Sequence, residues 1–135
     1  MSPQEIVNEM MRLDAFSQWL GISVDRIEKG HCELSCSVRS EMLNGHQIAH
    51  GGITYSLSDS ALAFASNAHG KKAVSIETSI SHVYSVKEND TLRVICKESY
   101  RGKTVGIYHV SIFNQEDVLV SRFKGTVHVS DNNWE

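Results

Sequence analysis

The longest run of apolar and small residues extends from Ile53 to Ala68 and contains a single charged residue, Asp59. Alanine occupies four positions of this run, which favours helix, and neither glycine nor proline interrupts it. His69 and Gly70 follow, and glycine is a frequent residue just past the end of a helix. A helix that is apolar almost all round packs inside a protein. The pattern therefore predicts a buried central helix over residues 53–68.

Alternation of apolar and polar residues predicts strands on both sides of this helix. Two lie before it, at residues 22–27 and 32–38, with a turn at Lys29 and Gly30. Four lie after it, at 73–86, 90–100, 104–113 and 118–129, joined by short turns. A strand pair, one long helix and four further strands predict an α+β fold with an antiparallel sheet wrapped around one helix. The length of 135 residues suits a single domain, 1–135.

The first twenty residues predict two short helices. Ser2, Pro3 and Glu5 form the pattern of a capping box with proline in the first turn. Asp14 is placed to cap a second turn that ends at Gly21. This segment either covers the sheet, which is the interpretation we favour, or forms a lid over a substrate.

Composition excludes several classes of function. The formal net charge of −3 implies no broad basic surface for nucleic acid. No 18-residue apolar run and no signal-peptide pattern occur, so we expect a cytoplasmic protein without a membrane segment. The three cysteines contain no C-x-x-C pair and are predicted to be reduced core residues. The seven histidines include no H-E-x-x-H, so no metal site is expected. The G-x-S-x-G motif of serine hydrolases and the glycine-rich phosphate motifs are also missing.

Candidate chemistry lies in the loop before the central helix. Gly51 and Gly52 should present unpaired N–H groups at the positive end of the helix dipole, where an oxyanion can bind. Asp59 follows Gly52 by seven residues. Burial would raise the pKa of this carboxyl, and such perturbed groups are enriched at active sites. The alternative is that Asp59 faces solvent or caps a neighbouring turn.

The ordered motifs Asn44-Gly45-His46 and His50-Gly51-Gly52, followed by Asp59 in an alanine-rich helix, resemble the hotdog-fold acyl-CoA thioesterases. The chain is most similar to the phenylacetate-degradation (PaaI) subfamily. The resemblance implies the hotdog fold and hydrolysis of an aryl-acetyl-CoA, such as phenylacetyl- or hydroxyphenylacetyl-CoA, to the free acid and coenzyme A. An apolar pocket could equally accept medium-length aliphatic chains, so that alternative stays open. It implies no cofactor, since coenzyme A belongs to the substrate.

The resemblance also implies roles for particular residues. Asp59 would act as general base on water or as nucleophile, and the Gly52 N–H would polarise the thioester carbonyl. His50 and Asn44 would lie near that carbonyl, although Asn44 could simply cap the loop. Ser75 would orient the water. Coenzyme A would contact two further segments, comprising Tyr84, Lys87, Arg101, Gly102 and Lys103.

In similar proteins the active site lies at a dimer interface. We therefore expect a homodimer with a shared sheet, assembled into a homotetramer, in which Gly52 and Asp59 of one chain serve different sites. Two other functions remain open at this point. One is a hotdog hydratase or dehydratase that uses Asp59 and His50 to move a proton, and the other is a non-catalytic acyl-CoA-binding module.

Overall fold

The computed structural model describes all residues from 1 to 135. Its helices and strands follow the predicted order. They are α1 (Pro3–Leu13), α2 (Ala15–Leu20), β1 (Ser23–Glu28), β2 (His31–Ser37), a short 3₁₀ turn (Ser40–Met42), α3 (Gly51–Asn67), β3 (Lys71–His82), β4 (Thr91–Arg101), β5 (Val105–Phe113) and β6 (Leu119–Asn133).

The six strands form one antiparallel sheet in the order β1-β2-β4-β5-β6-β3. The helix α3 lies against this sheet and contacts all six strands. Its residues Leu57, Ala61 and Ala65 are fully buried, together with Leu34 and Val94 of the sheet. Burial of apolar surface between helix and sheet is the main stabilising contribution. The predicted hotdog arrangement is confirmed.

The central helix begins at Gly51, two residues earlier than predicted. The His50 ring caps it, because His50 Nδ1 accepts a hydrogen bond of 2.9 Å from the Gly52 N–H. The helix ends at Asn67, and Gly70 has the positive φ of 112° that favours glycine after a helix. The boundary at 53 was wrong because histidine is not one of the usual N-cap residues.

Two strands end four residues away from the predicted position, and the other strand boundaries agree within two residues. The strand β3 ends at His82, and the N–H groups of Val83 and Tyr84 both donate to the Val120 carbonyl instead of continuing the ladder. The strand β6 extends beyond 129 to Asn133, where it pairs with Lys71 at the start of β3. The sheet therefore continues past the point at which the alternating pattern stops.

The predicted caps of the first two helices are confirmed. Ser2 Oγ accepts from the Glu5 N–H at 3.1 Å, and Glu5 Oε1 accepts from the Ser2 N–H at 2.9 Å. Asp14 Oδ1 accepts from the Ser17 N–H at 2.9 Å. The α1 residues Ile6 and Val7 are buried, so this segment covers the interior as expected.

The strand β3 forms one edge of the sheet, and its outer backbone groups have no neighbouring strand within the chain. It is 12 residues long, and it exposes Val74 and Ile76 to 66% and 61%. Long apolar edges invite pairing with another chain. This edge therefore combines unpaired backbone groups with exposed apolar side chains.

The cysteines are free and buried, as predicted. Burial raises the pKa of Cys32 to about 12, so its thiol stays protonated at neutral pH. No helix of the chain combines the length and the apolar character needed to cross a membrane.

The contact between β6 and α3 generates a stability prediction. A Cβ added at Gly125 would lie 2.6 Å from Leu62 Cδ2 and 3.0 Å from Phe123 Cε1, and both neighbours are buried. We expect Gly125→Ala to lower the free energy of unfolding by about 1–3 kcal/mol through overpacking, measured by urea denaturation. Gly45→Ala is the control, because a Cβ at Gly45 meets no atom within 4 Å. Equal stability of the two variants would contradict this account of the packing.

Candidate active site

Asp59 lies on the face of α3 that borders a cavity of about 370 Å³. Ser75 of β3 lines the same cavity, so the structure places these two predicted site residues together. The rest of the wall is mainly apolar, and includes Met10, Leu62, Ala63, Ala73, Val127 and Trp134. A volume of this size is at the lower end of the range of about 300–1,000 Å³ for small-molecule sites.

The Asp59 carboxylate is half-buried and forms no hydrogen bond or ion pair within the chain. Burial raises its pKa above the ordinary value, and the negative charge of Asp14 raises it further. The carboxylate of Asp14 is fixed because its Oδ2 accepts from Ser17 Oγ at 2.6 Å. Ser17 Oγ in turn lies 2.8 Å from Ser60 Oγ, on the residue next to Asp59. Asp59 is thus an unpaired carboxylate with enhanced basicity.

The two glycine amides at the start of α3 differ in their hydrogen bonding. Because the Gly52 N–H donates to His50 Nδ1 at 2.9 Å, it is already occupied. The neutral His50 ring then carries its proton on Nε2. None of the loop and capping hydrogen bonds uses the N–H of Gly51. Gly51 lines a cavity of about 150 Å³ together with Asn44, His82 and Tyr84.

Asn44 holds the turn that carries this loop. Its Oδ1 accepts from the N–H groups of His46 and Ile48, at 2.9 and 3.4 Å. The turn brings Gln47 to a positive φ of 62°. The side-chain oxygen of Asn44 therefore caps the loop, as the sequence left open, while its NH₂ group forms no hydrogen bond within the chain.

One chain does not bring the loop and Asp59 to the same point. Eight residues separate Gly51 from Asp59 along α3, which is about 12 Å of helix. The two residues also line different cavities. An amide that polarises a carbonyl must lie within about 3 Å of its oxygen. A single carbonyl therefore cannot contact both groups of the same chain.

The residues predicted to contact coenzyme A divide between the two ends of α3. Tyr84 is exposed and lines the cavity beside Gly51, and Lys87 is exposed farther along the same segment. At the other end, Arg101 Nη1 donates to the Ser66 carbonyl and to Tyr108 Oη, both at 3.0 Å. Its guanidinium is thus partly used inside the protein. Gly102 and Lys103 follow at the β4–β5 turn, where Lys103 is exposed.

The sequence profile of the Thioesterase superfamily matches residues 46–121, more than half of the chain. The chain belongs to this superfamily. It is 35% identical over 119 residues to the acyl-coenzyme A thioesterase PaaI of Escherichia coli strain K12, covering 88% of this chain and 85% of the relative. The solved structure of E. coli PaaI matches with a TM-score of 0.95 and 32% identity, covering 97% and 95% of the two chains. Streptococcus mutans UA159 smu.793, solved bound to acetyl-CoA, matches with a TM-score of 0.81 and 28% identity, covering 84% and 91%.

Within this member of the thioesterase superfamily, sequence reasoning missed several residues beside the predicted site. His82 Nε2 lies 3.3 Å from the position of a Cβ on Gly51, and His82 Nδ1 lies 3.2 Å from Thr54 Oγ1. Asp14 was assigned only a capping role, and Trp134 none. The contacts of these residues are distant in sequence, so no local pattern indicated them.

The pair of Asp14 and Asp59 generates a pH prediction. Asp14→Asn removes a negative charge near Asp59, so the pKa of Asp59 should fall. If ionised Asp59 supports activity, the acid limb of the pH–rate profile should move to lower pH. Asparagine still caps α2, so the fold should be kept.

Thiol release from an acyl-CoA, measured across the acid range, checks this prediction. Asp25→Asn makes the same charge change at an exposed residue of β1 and should leave the limb in place. An acid limb that stays fixed or moves to higher pH in Asp14→Asn would contradict the coupling.

Proposed function

We propose that this chain hydrolyses acyl-CoA thioesters, with an aryl-acetyl group such as phenylacetyl or hydroxyphenylacetyl as the acyl part. The observation that carries the proposal is the half-buried, unpaired Asp59 at an apolar cavity in a member of the thioesterase superfamily. The relatives support the substrate class. E. coli PaaI is an acyl-coenzyme A thioesterase from the phenylacetic acid degradation operon, and smu.793 was solved with acetyl-CoA.

The active form in this proposal is a homodimer that pairs through the β3 edges. The exposed Val74 and Ile76 would become buried, and the edge backbone groups would find partners. An isologous dimer presents the same surface twice, so the loop of one chain can face Asp59 of the other. The separation of about 12 Å between Gly51 and Asp59 within one chain supports this arrangement. A further pairing into a homotetramer remains part of the proposal.

The proposed reaction begins with the thioester carbonyl oxygen accepting a hydrogen bond from the loop. Asp59 of the partner chain takes a proton from water, and the resulting hydroxide forms a bond to the carbonyl carbon. The tetrahedral oxyanion is stabilised by the amide at the positive end of α3. It collapses by breaking the carbon–sulfur bond, the thiolate takes the proton from Asp59, and the acid and coenzyme A leave. Direct attack by Asp59, through an anhydride that water then cleaves, is the other route.

We assign the oxyanion contact to the Gly51 N–H rather than to Gly52. The Gly52 N–H is occupied by the His50 ring, whereas Gly51 lines a cavity and its N–H is not engaged. His50 then holds the loop through Nδ1, and its Nε2–H has no partner within the chain. The free NH₂ of Asn44 can donate to the carbonyl region, and Ser75 can orient the water from the Asp59 side.

Coenzyme A would lie over exposed residues at the loop and at the hairpin turn. Tyr84 lines the loop cavity, Lys87 is exposed farther along the same segment, and Lys103 at the hairpin turn offers a cation for a phosphate. Arg101 would contribute mainly by holding the turn against the end of α3, because its guanidinium donates to the Ser66 carbonyl.

The role of Asp59 gives a direct prediction. Asp59→Asn keeps the shape but removes the base, so kcat should fall by about 10²–10⁴-fold while KM changes little. Thiol release from phenylacetyl-CoA is the measurement, and Asp25→Asn is the charge-matched control. Loss of enoyl absorbance with an enoyl-CoA, without thiol release, would favour the hydratase alternative. Tight acyl-CoA binding without turnover in the wild type would favour the binding module.

The Gly51 amide can be removed without removing the helix start. Gly51 is the first residue of α3, where proline is well tolerated, and His50 has the φ of −59° and ψ of 140° that suit a residue before proline. Gly51→Pro should therefore lower kcat by about 10²–10³-fold, the usual cost of losing one oxyanion donor.

Gly51→Ala is the matched control for this prediction. It keeps the N–H, and its Cβ also lies 3.3 Å from His82 Nε2, so it should retain much more activity than the proline variant. Thermal unfolding of both variants checks that the helix start survives. If Gly51→Pro is folded and as active as Gly51→Ala, the Gly51 amide is not the donor.

A further inference from the structure

The cavity beside Asp59 is elongated along α3. Asp59, Leu62, Ala63, Ser66 and Asn67 all line it, and their spacing of three and four residues places them on one face of the helix. Eight residues separate Asp59 from Asn67, which corresponds to about 12 Å along the axis. The cavity therefore has a catalytic end at Asp59 and a distal end near Asn67.

Trp134 forms the distal wall and is held there by the buried Asn67. Its Nε1–H donates to Asn67 Oδ1 at 2.8 Å, and its backbone N–H donates to the Gly70 carbonyl at 2.9 Å. Asn67 is 2% exposed, and it is itself fixed by Ala73 through hydrogen bonds of 3.0 Å in both directions. The indole is thus positioned by defined contacts.

The side chains of Asn67 and Ser66 at this end offer little to a polar ligand. Lys72 also lines the cavity, but it is exposed and its Nζ lies 4.8 Å from the centre of the Trp134 ring. Both groups of the Asn67 amide already bond within the chain, and Ser66 Oγ donates to the Ala63 carbonyl at 3.2 Å. A polar chain such as the amide-containing arm of coenzyme A would leave its own groups unpaired here, which is costly. An apolar group has no hydrogen bonds with water to lose when it enters this part of the cavity. The distal half of the cavity therefore fits the acyl group rather than the coenzyme A arm.

We propose that Trp134 is the specificity-determining residue that ends the acyl pocket and limits the length of the acyl group. This inference rests on the proposed function, which places the thioester carbonyl at Asp59 of the same cavity. An extended apolar acyl chain leaves the carbonyl along α3 and stops at the indole. A terminal ring can also pack against the indole, which adds to the apolar contact.

The test compares acyl-CoA substrates of increasing length, from acetyl through phenylacetyl and hexanoyl to dodecanoyl. Trp134→Ala should raise the ratio of kcat/KM for the longest to that for the shortest substrate by about tenfold or more, because new contacts become available in the pocket. Trp134→Phe keeps a ring and should shift the ratio much less. Trp19→Ala is the control, because Trp19 is an exposed residue of α2 that does not line the cavity.

A second readout does not depend on turnover. The chain contains two tryptophans, so Trp19→Phe leaves Trp134 as the only indole fluorophore. In this background, combined with Asp59→Asn to stop hydrolysis, dodecanoyl-CoA and phenylacetyl-CoA should change the Trp134 emission. Coenzyme A without an acyl group should not.

The outcomes separate this inference from the proposed function. An unchanged length profile in a folded Trp134→Ala, or emission that ignores the acyl group, would overturn the role of Trp134 even if thiol release is robust. If the wild type releases no thiol from any acyl-CoA, the proposed hydrolysis fails. The emission titration then still decides whether the acyl group reaches Trp134.

Discussion

The length of α3 between Gly51 and Asp59 is the constraint on which the rest of the account depends. A helix buried against six strands is rigid, so its eight-residue separation of about 12 Å cannot be closed by local motion. In the proposed reaction the loop polarises the carbonyl and the carboxylate activates water, and this separation keeps the two groups of one chain apart. The exposed β3 edge supplies the surface through which a second copy could complete the site.

The burial of α3 also changes the acid–base properties of Asp59. Packing of α3 desolvates Asp59 and raises its pKa, and the fixed Asp14 charge acts in the same direction. A carboxylate with these neighbours is a stronger base than one in water. At the start of the helix, the His50 ring accepts from the Gly52 amide, and the Gly51 amide has no partner within the chain. The packing of α3 therefore leaves two polar groups without a partner within the chain, the Gly51 N–H and the Asp59 carboxylate.

Much of the fold could be predicted because local and long-range signals agree. The uninterrupted apolar run of α3 and the alternation of β2, β4 and β5 each indicate the observed element. The predicted boundaries were wrong where a contact outside the local sequence pattern determines the end of a helix or strand. The His50 cap extends α3, the Val120 carbonyl draws Val83 and Tyr84 away from β3, and pairing with Lys71 extends β6 to Asn133.

The motif that forms the candidate site could be predicted from the sequence, but the particular atoms that take part could not. Two adjacent glycines cannot be told apart from the sequence. Only the hydrogen bond to His50 distinguishes the Gly52 amide from the Gly51 amide. A cation in a turn suggests a phosphate contact, yet Arg101 reaches the Ser66 carbonyl 35 residues earlier in the chain. Trp134 lies outside every motif, and its place at the distal end of the cavity that Asp59 borders follows from the hydrogen bond to Asn67.

Complementation between two inactive variants tests the central claim most directly. Gly51→Pro and Asp59→Asn chains, carrying different affinity tags, can be co-expressed, and the mixed dimer can be purified through both tags. If each site combines the loop of one chain with Asp59 of the other, the mixed dimer has one intact site and should recover about half of the wild-type thiol release. If each site lies within one chain, the mixed dimer stays as inactive as its parents, and the shared-site account is contradicted.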